Sequence, residues 1–144
     1  MRGPDEVVVV VRRGSRYLVL RRVPERLGYW NLVAGGVEPG ETPADAAHRE
    51  LLEETGLDAE VDRLPIALSY SLLDDPPEVR ARYAPGIETI TVHPFVVVAS
   101  PGWEPNLDDE HDAYRWCDEA EGVSLLAYET PRDALRAAAQ LGVV

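Results

Sequence analysis

Residues 35–57 of the chain read GGVEPGETPADAAHRELLEETGL. This stretch joins a glycine-rich loop to a predicted helix. Thr42 is a favourable N-cap, Pro43 suits the first helical position, and Gly56 ends the helix after Thr55. The stretch therefore predicts a loop, a helix over residues 43–55 and a second loop.

The predicted helix has two neighbouring faces of different chemistry. On a helical wheel its apolar positions share one arc, which we expect to lie against a sheet: Ala44, Ala47, Leu51 and Leu52. The next arc carries three carboxylates at i, i+3 and i+4 spacing, namely Glu50, Glu53 and Glu54. Such a face is either solvated surface, since like-charge pairs cost only about 0.2 to 0.5 kcal/mol each, or a cluster that binds a cation. The helix alone leaves both interpretations open.

The rest of the chain alternates predicted strands and turns with one more helix. Strands are predicted over residues 6–13, 17–20, 30–34, 60–72, 87–99 and 114–117. A second helix is predicted from an N-cap at Thr130 to about Gln140, and residues 73–86 are predicted to be irregular. These elements predict an α/β fold, a mixed sheet with helices on its faces, in a single domain over residues 1–144.

Charge and cysteine content narrow the range of functions. The chain has 26 acidic residues against 14 basic ones, all of them Arg, and a net charge of -12. This charge repels nucleic-acid backbones, so we expect no duplex as a partner, although a small anionic ligand can bind where a cation is recruited. The lone Cys117 excludes an internal disulfide and favours a cytoplasmic protein, and no segment approaches the length of a membrane span.

The spacing within the opening stretch matches a known pattern. Gly35 is followed after five residues by Glu41 and after seven more by REL-EE-GL at positions 49–57. The chain thus resembles the Nudix hydrolases at all nine defining positions of their signature. The resemblance implies a loop-helix-loop on an α/β/α sandwich, a divalent cation that is usually Mg²⁺ with Mn²⁺ as the alternative, and hydrolysis of a nucleoside diphosphate linked to another group.

The same resemblance suggests roles for individual residues. It implies metal ligands at Glu50, Glu53 and Glu54, with the Gly35 carbonyl as a further one, and an orienting role for Arg49 through Glu53 or Glu41. The general base comes either from these box carboxylates or from Glu110 in a distant loop, where Glu110 would also be a metal ligand. One further interpretation of Glu110 is a solvated charge in an acidic loop.

Three shorter stretches resemble the Nudix branch that cleaves dihydroneopterin triphosphate and dATP-like substrates. They are Tyr29-Trp30-Asn31, Arg82-Tyr83-Ala84-Pro85-Gly86, and Glu110-His111 followed by Tyr114 and Trp116. The candidate substrate-binding residues are Arg21, Arg22, Trp30, Asn31, Arg82 and Tyr83, with Arg80 as a further cation. Asn31 departs from the Gln usual in that branch, and Glu129-Thr130-Pro131 replaces an Asn-Arg pair at the second helix.

The leading hypothesis is a Mg²⁺-dependent pyrophosphohydrolase that converts a nucleoside or pterin triphosphate into a monophosphate and pyrophosphate. Alternative enzymes are an ADP-ribose or sugar-nucleotide pyrophosphatase and a sanitiser of oxidised nucleotides. Non-enzymatic alternatives are a nucleotide sensor and an acidic Ca²⁺-binding module. The expected partner is a small-molecule polyphosphate, with no membrane, and the sequence leaves a homodimer open.

Overall fold

The computed structural model describes residues 1–141. The strands are β1 (Asp5–Arg13), β2 (Arg16–Arg22), β3 (Trp30–Asn31), β4 (Val33–Gly36), β5 (Asp62–Arg63), β6 (Leu68–Ser71), β7 (Thr89–Val98) and β8 (His111–Cys117). The helices are α1 (Pro43–Thr55), α2 (Pro77–Arg80), α3 (Glu119–Leu125) and α4 (Glu129–Gln140). None of the helices within residues 1–141 is long and apolar enough to cross a membrane.

The strands form one mixed sheet, as the sequence predicted. Its central path is β3-β2-β1-β7-β5, with β4 paired to β1, β6 to β7 and β8 to β2. Strands β1 and β7 run parallel, and the other pairs are antiparallel. Strand β1 pairs with β2 only at Arg12 and Arg13 and with β4 over Glu6–Val9. The sheet therefore splits beside the first half of β1.

Helices cover both faces of this sheet, which confirms the α/β sandwich. Alternate residues of β1 lie on opposite faces of the sheet, because successive side chains of a strand point in opposite directions. Val8 and Val10 join the core that includes Leu135 of α4. Val7 and Val9 join the core that includes Leu51 of α1.

Helix α1 has the predicted ends but a different buried face. Thr42 accepts a hydrogen bond from the Asp45 backbone N–H, the Asp45 carboxylate accepts one from the Thr42 N–H, and Gly56 ends the helix at a φ of 78°. Two positions of the predicted apolar arc, Ala44 and Leu52, are exposed. The buried residues are Ala46, Ala47, Leu51, Glu54 and Thr55. The predicted arc is confirmed at Ala47 and Leu51 and wrong at Ala44 and Leu52, because the helix turns Glu54 toward the sheet.

Two predicted strands are interrupted in the structure. The segment 30–34 divides at Leu32, since β3 pairs with β2 while β4 pairs with β1. The segment 60–72 contains only β5 and β6, which both pair with β7. Pro65 lies between them, and proline cannot donate a hydrogen bond to a sheet ladder.

The C-terminal half contains more helix than the sequence predicted. Helix α3 was missed, and α2 interrupts the segment predicted to be irregular. Thr130 is not the N-cap of α4, which begins at Glu129 after Tyr128. Pro131 therefore lies inside the first turn, where a missing N–H costs no helical hydrogen bond.

Candidate active site

Gly35 and Glu50 meet where β4 passes the middle of α1. A Cβ built on Gly35 would lie 2.2 Å from Glu50 Oε1 and 2.3 Å from its carboxyl carbon. No larger residue fits at position 35 without moving the Glu50 side chain. The glycine of the predicted loop therefore lets a carboxylate lie against the strand backbone.

Glu54 is the buried carboxylate of the helix, only 3% exposed. Burial raises the pKa of Glu54 well above its usual value, and a hydrogen bond shared with Glu50, the Glu50 charge and the Asp108 charge raise it further. A hydrogen bond from the Ala34 backbone N–H acts in the opposite direction. The structure therefore excludes a solvated surface role for Glu54.

Arg49 ties the loop to the helix. Its Nε and Nη2 donate to the two carboxylate oxygens of Glu41 at 2.8 and 3.0 Å, and Nη2 also donates to the Gly36 carbonyl at 3.0 Å. Its Nη1 donates to Glu50 Oε1 at 2.7 Å and lies 3.5 Å from Glu53 Oε2. The hydrogen bonds between Arg49 and Glu41 raise the pKa of Arg49 and lower the pKa of Glu41. Arg49 thus makes the contacts of an orienting residue.

The carboxylate pair has the chemistry of a cation site. Glu50 and Glu54 place two acidic groups together in a water-poor region, which is costly unless a proton or a cation neutralises them. Mg²⁺ prefers carboxylate oxygens and usually keeps several waters and substrate oxygens in its shell. Within residues 1–141 no three metal-ligating side chains are already gathered into a cage. The pair therefore fits an open magnesium site that water and substrate oxygens complete.

The other two predicted ligands lie outside this pair. The Glu53 side chain is 57% exposed and faces Arg49. Burial, followed by the charge of Glu50, raises the pKa of Glu53. The Glu110 carboxylate pairs with Arg26 at 3.0 Å and is 43% exposed. Glu53 is thus linked to Glu50 through Arg49, Glu110 is held by Arg26, and the buried pair itself consists of Glu50 and Glu54.

A buried histidine beside Glu54 was missed by the sequence interpretation. His111, at the start of β8, is 7% exposed and lies with Nε2 3.6 Å from Glu54 Oε1. Its Nδ1 is 2.8 Å from Asp108 Oδ1. A carboxylate, an imidazole and a second carboxylate therefore form one contiguous row. The acidic loop before β8 was visible in the sequence, but its contact with α1 was not.

A large cavity opens at the split in the sheet. It has a volume of about 1040 Å³, and Gly35, Glu50 and Glu54 line it. Four predicted substrate-binding residues and the alternative base also line it: Arg22, Asn31, Arg82, Tyr83 and Glu110. Arg21, Trp30 and Arg80 are not among its lining residues.

Arg21 and Trp30 have other partners. Arg21 Nε donates to Asp112 Oδ1 at 2.9 Å. The guanidinium groups of Arg21 and Arg115 each lie 5.8 Å from the centroid of a Trp30 ring. Arg21 and Trp30 therefore contact other protein groups, and of the two adjacent arginines Arg22 is the one that lines the cavity.

Tyr83 is buried, at 6% exposure, instead of presenting an open ring. Its hydroxyl donates to Glu6 Oε2 at 2.7 Å, and the Tyr70 hydroxyl donates to Glu6 Oε1. Burial is the main cause that raises the pKa of both tyrosines. Glu6, Tyr70 and Arg2, which pairs with Glu6, were not predicted from the sequence.

The opposite part of the cavity lining holds a cation with aromatic neighbours. Arg22 Nη1 donates to the Tyr29 hydroxyl at 3.2 Å, and the Tyr29 and Tyr128 rings meet edge to face at 5.1 Å. Arg22 Nε is buried and has no hydrogen-bond partner within residues 1–141. An acceptor supplied by a ligand would satisfy this donor.

Comparisons with known proteins agree with this geometry. The NUDIX domain model matches residues 2–138. The chain is 34% identical over 135 residues to an octanoyltransferase of Myxococcus xanthus, in a match that covers 92% of this chain and 35% of that protein. It is 30% identical over 134 residues to dihydroneopterin triphosphate diphosphatase of Escherichia coli K12, covering 90% of this chain and 86% of the relative. The solved structure of the E. coli dihydroneopterin triphosphate pyrophosphohydrolase superposes with a TM-score of 0.78 at 29% identity, over 92% of each chain.

Proposed function

The chain belongs to the Nudix hydrolase family, and we propose that it is a magnesium-dependent pyrophosphohydrolase of a nucleoside or pterin triphosphate. In this proposal residues 1–144 act as one domain and release a monophosphate and pyrophosphate. The diphosphatase activity named for the E. coli relative supports the choice of a triphosphate.

One observation carries the proposal: the buried Glu54 carboxylate lies against Glu50 in the wall of a large cavity. A carboxyl group with this burial is rarely structural unless it is paired. Glu54 has His111 on one side and a second acid, Glu50, on the other, and we infer that a bound cation supplies the remaining counter-charge of the two carboxylates.

We assign the cation to Glu50 and Glu54, with Glu53 and the Gly35 carbonyl completing the set and Mn²⁺ as a substitute for Mg²⁺. When bound, the metal would offset the carboxylate charge and polarise the phosphoryl group. Arg49 acts as a positioning residue, because it fixes Glu50 and joins α1 to the loop through Glu41 and Gly36.

The proposed reaction is an attack of water on phosphorus. The water oxygen forms a bond to phosphorus while the bond from that phosphorus to the oxygen bridging the α and β phosphates breaks. The bridging oxygen leaves with the other product, and the water proton passes to a carboxylate base. A box carboxylate is one candidate base, and the contact of Glu54 with His111 supports it. Glu110 is the second candidate, because it lines the cavity.

The substrate contacts that the cavity supports are Arg22, Asn31, Arg82 and Tyr83. We place the partner among small-molecule polyphosphates, because a chain of net charge -12 is a poor ligand for a nucleic-acid duplex. A cytoplasmic location and a homodimer belong to the same proposal. Neither is needed for the chemistry.

A substrate panel tests the proposal. Dihydroneopterin triphosphate, dATP and ADP-ribose are offered side by side with Mg²⁺, and released pyrophosphate and monophosphate are measured. We expect pyrophosphate from one of the triphosphates, and a loss of several orders of magnitude in kcat for Glu54→Gln. Glu60→Gln makes the same change at an exposed position and should leave kcat unchanged. Normal turnover by Glu54→Gln would show that the site is assigned wrongly.

A further inference from the structure

We propose that Arg2 binds phosphate oxygens of the substrate and that Glu6 holds the Arg2 guanidinium in place for this task. The inference rests on the proposed function, because it takes a polyphosphate as the ligand. It adds a cation that lies outside the signature and outside the candidate residues of the sequence interpretation.

Arg2 is positioned over strand β4, next to the glycine that contacts Glu50. Its guanidinium lies against Gly36, with Nη2 and Nε 3.2 and 3.3 Å from the place of a Cβ on that glycine. Gly36 follows Gly35, whose backbone is packed against Glu50. Arg2 lines the same cavity as Glu50 and Glu54. The guanidinium therefore lies over the residue of β4 that follows Gly35, the glycine against which Glu50 packs.

A dedicated network holds this guanidinium. Arg2 Nη2 lies 2.9 Å from Glu6 Oε2, and its guanidinium carbon lies 5.4 Å from the centroid of the Tyr83 ring. Glu6 also accepts hydrogen bonds from the hydroxyls of Tyr70 and Tyr83, so its side chain has little freedom. Glu6 pairs with Gly36 across the β1–β4 ladder, which explains why Arg2 lies over that glycine. An arginine fixed in this way loses little conformational entropy when it binds a ligand.

The network does more than anchor the first residues of the chain. The Arg2 backbone is already fixed, because its N–H donates to the Arg82 carbonyl and its carbonyl accepts from the Ala84 N–H, both at 2.9 Å. The side chain is not needed for that contact. It is 41% exposed, and in the described part of the chain Glu6 is the only acidic side chain within salt-bridge distance of it. A guanidinium has five N–H donors, so the pair with Glu6 leaves most of them available to a ligand.

Two other arginines near the site, Arg49 and Arg26, are already paired with protein groups. Arg49 uses each of its three nitrogens on Glu41, Glu50 or the Gly36 carbonyl. Arg26 is paired with Glu110. A polyphosphate approaching Glu50 and Glu54 needs positive charge to offset theirs, and the planar fork of an arginine matches two phosphate oxygens. Arg2 supplies such a fork in the lining of the same cavity.

The direct test is calorimetric titration with inorganic pyrophosphate in the presence of Mg²⁺. Arg2→Gln should bind pyrophosphate about ten to a hundred times more weakly than the wild type, the usual range for losing a hydrogen bond to a charged group. Arg2→Lys keeps the charge without the fork and should lie between the two. Arg16→Gln removes an exposed arginine at the start of β2, outside the cavity lining, and should bind as the wild type does.

Glu6→Gln separates positioning from simple charge. If Glu6 acted only through its charge, removing it would strengthen the binding of an anion. Because we expect Glu6 to position Arg2, Glu6→Gln should weaken pyrophosphate binding. The substitution Arg2→Gln should then weaken binding less when it is made in the Glu6→Gln variant than when it is made in the wild type. With substrate, both variants should raise KM more than they lower kcat. Thermal denaturation checks that each variant folds.

The outcomes are distinct. Wild-type affinity for pyrophosphate in both Arg2→Gln and Arg2→Lys overturns the inference, as does a wild type that does not bind pyrophosphate. A wild type that binds pyrophosphate through Arg2 but hydrolyses no triphosphate refutes the proposed function and leaves the Arg2 assignment standing.

Discussion

At the scale of single residues, Gly35 is a position where an added methyl group would displace a carboxylate of the site. Gly35→Ala would place a Cβ 2.2 Å from Glu50 Oε1, so the carboxylate must leave its position beside Glu54. We expect kcat to fall at least tenfold while the melting temperature changes little, since the Glu50 side chain can move toward solvent. Steady-state kinetics and thermal denaturation of the same preparation measure both.

Gly102→Ala is the matched control. A Cβ on Gly102 would meet no atom within 4 Å, and its φ is not in the left-handed region. It should leave kcat unchanged. Full activity in Gly35→Ala would contradict the close approach of Glu50 to the strand.

The residues around this glycine show how far the sequence could predict the site. The resemblance of the opening stretch to the Nudix signature singled out Gly35, Arg49, Glu50, Glu53 and Glu54, and the stretch could be read from sequence because these positions lie close together along one loop and one helix. His111, Glu6 and Arg2 were not predicted, because each reaches the site through tertiary contacts between distant strands. Arg21 and Arg22 could not be told apart, since the face of β2 that borders the cavity depends on the split beside β1.

At the scale of elements, the capping of α1 is the feature that keeps the carboxylates in register. Thr42 accepts a hydrogen bond from the Asp45 N–H, and loss of such a cap costs about 1 kcal/mol. Thr42→Ala should therefore lower the free energy of unfolding by about that amount. Urea denaturation followed by circular dichroism measures it.

Thr130→Ala provides the comparison within the same chain. Thr130 precedes a proline as Thr42 does, but it lies inside α4 and is not the cap. Its replacement should change the free energy of unfolding by less than about 0.5 kcal/mol. Equal losses in the two variants would mean that the cap at Thr42 is not the source of the effect.

Element boundaries were predictable where the signals were local. The ends of α1 follow from Thr42, Pro43 and Gly56, which act within one turn of the helix. Its buried face did not follow from polarity, because Glu54 is buried while Leu52 is 44% exposed. The hydrophobic pattern does not predict the buried face at Glu54, because the buried side chain there is a carboxylate and not an apolar core residue.

At the scale of the molecule, the net charge of -12 has two parts. Most acidic side chains lie on the surface, where many pair with arginine. The Glu50 and Glu54 pair is different, because it is held away from water and next to a cavity of about 1040 Å³. With no lysine in the chain, every side chain able to place permanent positive charge near a phosphate is an arginine.

We propose that the Glu50 and Glu54 pair is the cation site of the enzyme, and thermal denaturation at pH 8 with and without Mg²⁺ measures whether Mg²⁺ stabilises the protein through it. Burial raises the pKa of Glu54, so the ionised pair destabilises the metal-free protein, and Glu54→Gln without metal should melt at or above the wild type. Mg²⁺ at ten times its Kd should stabilise the wild type by about 1.4 kcal/mol and raise its Tm by about 4 °C. The variant should gain much less. A wild-type Tm that does not respond to Mg²⁺, or an equal rise in Glu54→Gln, would contradict the account.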